Sequence, residues 1–156
     1  MSETAYFAGG CFWCITPTFK ETPGVLDVVS GYSGGQEKDP TYADVKYQRT
    51  GHRETIRIDF LPEQVTFSSL LEIFLCSVDP FDPDGQFIDR GHSYTLAVYY
   101  LSESQRMVAE QQIRQLQQGS DDIHEILEAQ IHSLEQQQKQ AAHSAQVCRR
   151  MQEDSV

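Results

Sequence analysis

The chain has 156 residues, a formal net charge of −11, an apolar fraction of 39% and four cysteines. This length fits one domain with a single core and leaves room for a long terminal segment. The acidic balance repels phosphate backbones and therefore excludes nucleic acid as an expected partner. No apolar run reaches the roughly 20 residues of a membrane span, and the first residues lack a secretory pattern. We therefore expect a cytoplasmic protein with no membrane partner, and we take it to be a monomer.

Periodic patterns predict seven elements along the first 119 residues, of which the strand TIRIDF, with alternating apolar and polar side chains, is the clearest. Capping boxes are predicted for Ser69 with Glu72 and for Ser102 with Gln105. Two βαβ-like halves predict an α+β sandwich of ferredoxin-like type, with helices on one face of a mainly antiparallel or mixed sheet. In chain order we predict a strand at 4–10, a helix from about Cys11, strands at 24–35 and 55–60, a helix at 66–78, a strand at 93–101 and a helix from Ser102 to Gly119, with long loops at 36–51 and 79–92.

The character of the sequence changes after Gly119, which is a natural helix stop. Apolar residues at helical spacing favour one further amphipathic helix, and the Gln-rich residues beyond it favour a disordered tail. We predict a main domain over residues 1–120 and a helical or partly disordered C-terminal extension over 121–156. The apolar residues of this extension are Ile123, Ile126, Leu127, Ile131 and Leu134.

The stretch AGGCFWC at residues 8–14 carries the most information about chemistry. Glycines allow a sharp turn, and a helix that begins at about Cys11 would favour the nucleophilic thiolate through the positive end of its dipole. Three-residue spacing places Cys14 on the same helix face, close enough for a disulfide. Pro17 permits a second arrangement, in which Thr16 caps a helix that begins at Pro17 and both cysteines lie in the preceding turn.

Three kinds of site fit this cysteine pair. One interpretation is that both cysteines are buried and inert. Another is a structural zinc site, although such a site usually needs four close ligands. Redox chemistry is favoured because Phe12 and Trp13 resemble a pocket wall beside a thiolate.

Six motifs follow one another over residues 5 to about 100. They are GGCFWC (9–14), PGV (23–25), SGYSGG (30–35), DPTYADV (39–45), TGHRE (50–54) and DRGHSYT (89–95). In kind and in order, this series resembles the A-type peptide methionine sulfoxide reductases. The resemblance implies thiol-dependent reduction of methionine-S-sulfoxide, free or in proteins, with no bound cofactor, no metal and a thioredoxin-type dithiol as electron donor.

The resemblance also implies the catalytic residues. Cys11 would attack the sulfoxide sulfur, and Glu54 would protonate the sulfoxide oxygen as a general acid whose pKa is raised by burial. Cys11 would be left as a sulfenic acid, and Cys14 would condense with it to form a disulfide that the dithiol donor reduces. Cys148 is a candidate for relaying this disulfide outward. Cys76 lies in an apolar helix pattern and is expected in the core.

Substrate binding is implied for five more positions. Phe12 and Trp13 would hold the methyl group of the substrate, and Asp89 would orient it. The hydroxyls of Tyr42 and Tyr94 would bind the sulfoxide oxygen. Each of these residues taken singly fits an ordinary core or loop role, and their joint presence favours the site.

Three positions depart from the family's pattern. Thr16 stands where the family usually has Glu, and Thr95 stands where it commonly has Arg. The region HSLEQQQKQAA at 132–142 keeps only Glu135 of an aromatic-rich stretch. We therefore expect a less enclosed pocket or a different substrate preference.

Two other functions remain open from the sequence. A disulfide-exchange module would use Cys11 and Cys14 and would need neither Glu54 nor the tyrosines. A non-catalytic module would use the pocket to bind oxidised methionine. His52, close to Glu54 in the chain, is expected to help shape the site.

Overall fold

A four-stranded antiparallel sheet lies at the centre of the first unit of the chain. The computed structural model describes residues 1–153, with side chains for residues 1–142. The chain divides into two compact units, Met1–Gln112 and the helical segment from Ile113 onward. The elements are β1 (Glu3–Ala8), α1 (Phe12–Lys20), β2 (Val25–Ser33), α2 (Tyr42–Lys46), β3 (Arg53–Phe60), α3 (Phe67–Ser77), β4 (Gly85–Gln86), β5 (Asp89–Arg90), a 3₁₀ turn (His92–Tyr94), β6 (Ala97–Tyr99) and α4 (Glu103–Glu153).

The sheet has the strand order β2-β3-β1-β6, and each neighbouring pair is antiparallel. The strands β1 and β3 therefore occupy the centre, as expected when two βαβ-like halves interlock. A separate short antiparallel pair, β4 with β5, lies within the loop predicted at 79–92. The α+β prediction with a mainly antiparallel sheet is confirmed.

Alternation along β3 decides which side chains face the helices. Ile56, Ile58 and Phe60 are fully buried, whereas Arg57 alternates with them on the other face. The same alternation turns Glu54 towards the buried face, where it is 1% exposed. An acidic side chain therefore occupies a position that the pattern of the strand otherwise gives to core residues.

A cluster of phenylalanines joins the central strand to two helices. The ring of Phe7 stacks on Phe74 of α3 with 4.9 Å between centroids, and it lies 6.1 Å from Phe19 of α1 and 5.8 Å from Phe67. All four rings are buried. This cluster fixes α1 and α3 against the same face of the sheet that carries Glu54.

The first helix begins at Phe12, with Cys11 as its N-cap residue. The arrangement in which the helix begins at Pro17 is therefore wrong. Pro17 lies inside α1 and cannot donate to the carbonyl of Trp13. Thr16 instead donates its hydroxyl to the carbonyl of Phe12 at 2.6 Å.

The cap of α3 and the position of Cys76 differ from prediction. Thr66, not Ser69, is the N-cap residue, and its hydroxyl accepts from the N–H of Ser69 at 3.1 Å. Cys76 is exposed, because the buried face of α3 is formed by residues such as Phe74 and Leu75 and Cys76 points away from it. The expectation that Cys76 lies in the core is wrong.

The cap of α4 agrees only in part with prediction. The hydroxyl of Ser102 accepts from the N–H of Gln105 at 3.2 Å. The Gln105 side chain bonds the N–H of Leu101 and the carbonyl of Thr4. The reciprocal bond of a capping box is therefore replaced by a link to β1.

The predicted stop at Gly119 is wrong, since α4 continues through it to Glu153. A glycine costs about 1 kcal/mol relative to alanine inside a helix, and the surrounding Gln, Glu and Leu residues are strong helix formers that offset it. The apolar side chains predicted for this segment, from Ile123 to Leu134, are exposed. Among the described residues, no helix is long and apolar enough to cross a membrane.

Replacing Phe7 with alanine tests the phenylalanine cluster. We expect Phe7→Ala to lower the free energy of unfolding by about 3–5 kcal/mol, because it leaves a cavity among three buried rings. Urea denaturation measures the change. The control Phe81→Ala removes a ring that is 53% exposed, and it should shift stability by no more than about 0.5 kcal/mol. Equal effects of the two changes would contradict this account of the core.

Candidate active site

Two glycines, Gly9 and Gly10, form the turn that places Cys11 at the start of α1. A Cβ on Gly9 would lie 2.9 Å from the ring of Phe74, so the close approach of α3 requires a glycine there. Gly10 has φ +77°, a conformation that glycine adopts readily. The N–H of Gly10 donates to the carbonyl of Tyr94 at 3.0 Å. The turn before Cys11 is thereby tied to the predicted substrate-binding tyrosine.

The start of α1 brings Cys11 and Glu54 together. The N–H of Phe12, the first residue of the helix, donates to Oε2 of Glu54 at 3.0 Å in a buried bond. Within the described part of the chain, the Cys11 side chain accepts no capping hydrogen bond. The first N–H of the helix therefore bonds the Glu54 carboxyl group and not the Cys11 sulfur.

Burial governs the acidity of Glu54. Loss of solvent raises the pKa of the Glu54 carboxyl above its ordinary value, and the nearby Asp89 charge raises it further. The N–H of Phe12 and the charge of Lys46 act in the opposite direction and are outweighed. A raised pKa is the property that a carboxylic acid needs in order to donate a proton near neutral pH.

The two cysteines are adjacent free thiols. Cys14 is exposed, Cys11 is half-buried, and the N–H of Cys14 donates to the carbonyl of Cys11 at 3.0 Å. A side-chain hydrogen bond to Cys11 raises the pKa of the Cys14 thiol, and burial and neighbouring negative charge add to the effect. Cys14 is therefore held as a thiol beside Cys11, in a position suited to forming a disulfide with it.

Three aromatic rings form one wall of the site. Trp13 is 61% exposed and stacks on Tyr42 at 5.3 Å, while Phe12 is buried beneath them. Phe12 lies 5.3 Å from the Trp13 ring and 6.4 Å from the Tyr42 ring. The rings of Phe12, Trp13 and Tyr42 therefore form an apolar wall that is open to solvent on the Trp13 side.

Tyr32 is a site residue that the sequence analysis missed. It lies opposite Glu54 in the β2–β3 register, and its ring is 5.7 Å from Phe12. Burial and the Glu54 charge raise the pKa of the Tyr32 hydroxyl. The signal lay in the motif SGYSGG, because strand alternation from Val28 turns Tyr32 to the core face.

Tyr94 and Asp89 reach the site from the loop after α3. Burial raises the pKa of Tyr94 to about 12, with further contributions from the Glu54, Tyr42, Asp89 and Cys11 charges. Tyr94 is therefore a neutral hydroxyl over the physiological range and is able to donate a hydrogen bond. Asp89 lies in β5, and its charge acts on Glu54, Tyr94 and Cys14 alike.

Gln48 is a second residue that the sequence did not indicate. Its side-chain oxygen accepts from the N–H of Ser93 at 3.0 Å, and its side-chain nitrogen donates to the Ser93 hydroxyl at 2.7 Å. Ser93 is buried next to Tyr94, and Gln48 follows the helix that begins with Tyr42. The two tyrosine-bearing segments are thus joined by a pair of hydrogen bonds.

The capping box of α2 offered a local signal for this segment. The loop predicted over 36–51 contains α2, which Thr41 caps reciprocally with Asp44. The pattern TYAD has the Thr and acid spacing of such a box.

His52 supports the loop before β3 rather than touching the reacting groups. Its Nδ1 accepts from the N–H of Gly35 at 3.2 Å, so its Nε2 carries the proton and donates to the carbonyl of Glu37 at 2.8 Å. The prediction that His52 helps to shape the site agrees with this arrangement, since it anchors the segment between β2 and α2.

The structure brings together most of the predicted site residues. Cys76 lies on the exposed face of α3 outside the group. The side chain of Cys148 lies outside the residues whose side chains are described. Over residues 1–142, no group of three or more His, Cys, Asp and Glu side chains is arranged to hold a metal ion.

The chain is similar to proteins of one family. A sequence model of this family, described as peptide methionine sulfoxide reductase, matches residues 3–139. The peptide methionine sulfoxide reductase MsrA of Bacillus velezensis is 47% identical over 117 residues, which cover 75% of this chain and 66% of that protein. The protein of the same name from Bacillus subtilis is 49% identical over 108 residues, covering 69% and 61%. The chain spans less than two thirds of the length of these relatives.

Solved structures show the same similarity. Methionine sulfoxide reductase A of Corynebacterium diphtheriae aligns with a TM-score of 0.67 and 34% identity, over 73% of this chain and 53% of that one. Mxr1 from Saccharomyces cerevisiae in reduced form aligns with a TM-score of 0.69 over 76% of this chain and 70% of its own. Its identity of 23% supports the fold alone.

Replacing Glu54 with glutamine tests whether the pKa of its buried carboxyl group is raised. The measurement is the stability of the protein at two pH values. Because its folded-state pKa is raised, the stability that this group contributes is present at low pH and is lost as pH rises through that pKa. Glu54→Gln keeps an oxygen for the Phe12 N–H and cannot ionise. We compare the unfolding free energy of the variant with that of the unaltered chain. We expect the difference, variant minus unaltered chain, to be larger at about pH 8 than at about pH 4.

Urea denaturation at both pH values measures this difference. Glu72→Gln, on the exposed side of α3, is the matched control and should show no such increase. A difference for Glu54→Gln that stays constant with pH would contradict the raised pKa.

Proposed function

We propose that this chain, which belongs to the peptide methionine sulfoxide reductase family, reduces methionine-S-sulfoxide, free or in proteins, to methionine. The observation that carries the proposal is the buried Glu54 carboxyl beside Cys11, bonded to the Phe12 N–H at 3.0 Å. Disulfide exchange moves no oxygen, so it needs no donor that protonates a leaving oxygen at that position. Sulfoxide reduction needs one, because the sulfoxide oxygen leaves only when it is protonated.

The proposed chemistry takes place in two balanced steps. The Cys11 thiolate attacks the sulfoxide sulfur while Glu54 gives a proton to the sulfoxide oxygen. The bond between the substrate sulfur and this oxygen then breaks, the hydroxyl group passes to the Cys11 sulfur, and methionine leaves, so that Cys11 becomes a sulfenic acid and Glu54 a carboxylate. The Cys14 thiol next attacks this sulfenic acid, so that a disulfide forms and water leaves.

Substrate recognition is proposed for the aromatic wall and the hydroxyls. A methyl group would lie against the exposed ring of Trp13 and the ring of Phe12 beneath it. The hydroxyls of Tyr42 and Tyr94 would donate to the sulfoxide oxygen, and the pKa of Tyr94, about 12, keeps it protonated for this role. Asp89 would orient the substrate, as its electrostatic effect on several site groups supports.

Regeneration is proposed to use an external dithiol of the thioredoxin type. Cys14 is exposed, so a donor thiolate has access to the sulfur that must be attacked. We place the catalytic domain at residues 1–120 and treat 121–156 as its extension. The possible relay through Cys148, the monomeric state and the cytoplasmic location stay predictions from the sequence.

Disulfide exchange is the second candidate function. The exposed Cys14, hydrogen bonded to Cys11, is the observation that favours it. An exchanger would reduce disulfides at a rate that does not depend on the stereochemistry of any sulfoxide. Epimer selectivity therefore separates the two functions.

Turnover of a single sulfoxide epimer tests the proposal. NADPH consumption is followed with thioredoxin, thioredoxin reductase and the pure S or R epimer of an N-acetylated methionine sulfoxide. We expect turnover on the S epimer and a rate at least about 100-fold lower on the R epimer, because paired hydroxyls and a methyl pocket fix one orientation at sulfur. Cys11→Ser should abolish turnover.

Cys76→Ser is the matched control, since Cys76 is exposed on α3 and away from the site. It should retain full turnover. Absence of turnover on both epimers, in a folded and reduced protein, would overturn the proposed function.

A further inference from the structure

A chain of hydrogen bonds crosses the face of the sheet opposite to Glu54. Arg53 donates through Nε to the hydroxyl of Thr95 at 2.8 Å and through Nη1 to the hydroxyl of Tyr99 at 3.3 Å. The Thr95 hydroxyl donates in turn to the carbonyl of His92 at 2.7 Å, and the Tyr99 hydroxyl donates to the carbonyl of Ser33 at 3.2 Å. Each of the two hydroxyls therefore accepts one bond from Arg53 and donates another to a backbone carbonyl.

Two members of this network are chain neighbours of proposed site residues. Arg53 precedes Glu54 in β3, and Thr95 follows Tyr94 after the 3₁₀ turn. Because successive strand residues point to opposite faces, Arg53 lies behind the sheet while Glu54 faces the core. The hydrogen bond between Arg53 and Thr95 therefore connects β3, which carries Glu54, with the 3₁₀ turn that carries Tyr94.

The other end of the network reaches β2, the strand that carries Tyr32. Ser33 is the neighbour of Tyr32, which lies opposite Glu54 in the sheet. Gly34 has φ +94°, and a Cβ there would lie 2.4 Å from the Tyr99 hydroxyl oxygen. The chain after β2 is thus shaped to admit that hydroxyl.

We propose that Arg53 is a positioning residue. From the face of the sheet opposite to Glu54, it fixes the positions of Glu54, Tyr94 and Tyr32 relative to one another. The inference rests on the proposed function, because it concerns the geometry of the same reaction. The planar guanidinium group serves two hydroxyls at once in a fixed fork, which the single ammonium group of a lysine does not reproduce. A small displacement of groups that must meet the substrate together lowers the rate of the chemical step more than it weakens binding.

The neighbouring Arg57 provides a matched control. It lies on the same strand and the same face as Arg53, and its guanidinium pairs with Asp59 of its own strand at 3.2 Å. Arg53→Met and Arg57→Met thus remove the same charge from the same surface. Only the first change breaks the connection to the loop that carries Tyr94.

Steady-state kinetics with the S epimer measure the effect. We expect Arg53→Met to lower kcat by about 10-fold with KM within about two-fold of the unaltered chain. Thr95→Val should lower kcat similarly, and the double variant should lose little more than either single variant, because both changes break the same bond. Arg53→Lys should recover part of the loss, and Arg57→Met should retain kcat.

A readout independent of activity is the hydrogen exchange of the Gly10 amide, which donates to the Tyr94 carbonyl. Loosening of the Tyr94 turn should speed this exchange in Arg53→Met and not in Arg57→Met.

Failure of the inference and failure of the proposed function give different results. If the unaltered chain and Arg57→Met reduce the sulfoxide while Arg53→Met keeps an equal kcat, the positioning role is overturned and the proposed function stands. If the unaltered chain does not turn over, the proposed function fails. Amide exchange then decides the inference: faster exchange in Arg53→Met alone supports it, and equal exchange in the two variants overturns it.

Discussion

The hydrogen bond from the N–H of Phe12 to the Glu54 carboxyl, 3.0 Å long, is the interaction on which the site depends. It joins the first residue of α1 to the central strand β3, and it does so next to Cys11. A buried carboxyl group without a partner would be too costly to keep, and a helix N-terminus supplies both a donor and a favourable dipole. The nucleophile and the proposed acid are therefore brought together by one backbone contact.

The surroundings of that bond balance two opposing effects on the acid. Burial and Asp89 raise the pKa of Glu54, while the Phe12 N–H and Lys46 lower it. The net effect is a raised pKa, which suits a group that must give up a proton to a leaving oxygen. The same burial holds Tyr94 as a neutral donor. Substrate binding and proton transfer thus draw on one low-dielectric environment, which the rings of Phe12, Trp13 and Tyr42 border.

The sequence was sufficient for β3, because that strand alternates with period two, and for locating the cysteine pair, because both cysteines lie in one short motif. It was insufficient for the strand predicted at 93–101, where the chain forms a 3₁₀ turn at His92–Tyr94 and a short strand at Ala97–Tyr99. It was insufficient where partners are distant in the chain. Gln48 contacts Ser93 across 45 residues, and nothing near Gln48 indicates that pairing. Local signals were also misjudged: Gly119 lies within a helix because its neighbours outweigh its cost, and Cys76 faces outward although its neighbours are apolar.

The measurement that tests the account most directly is the single-turnover release of methionine from the S epimer, without any electron donor, across a range of pH. The account predicts that the rate falls as pH rises through the raised pKa of Glu54, since the charged carboxylate has no proton to give. For Glu54→Gln it predicts a rate lower by about 10²–10⁴-fold and without that fall. A Glu54→Gln rate equal to that of the unaltered chain would contradict the central claim that Glu54 is the proton donor.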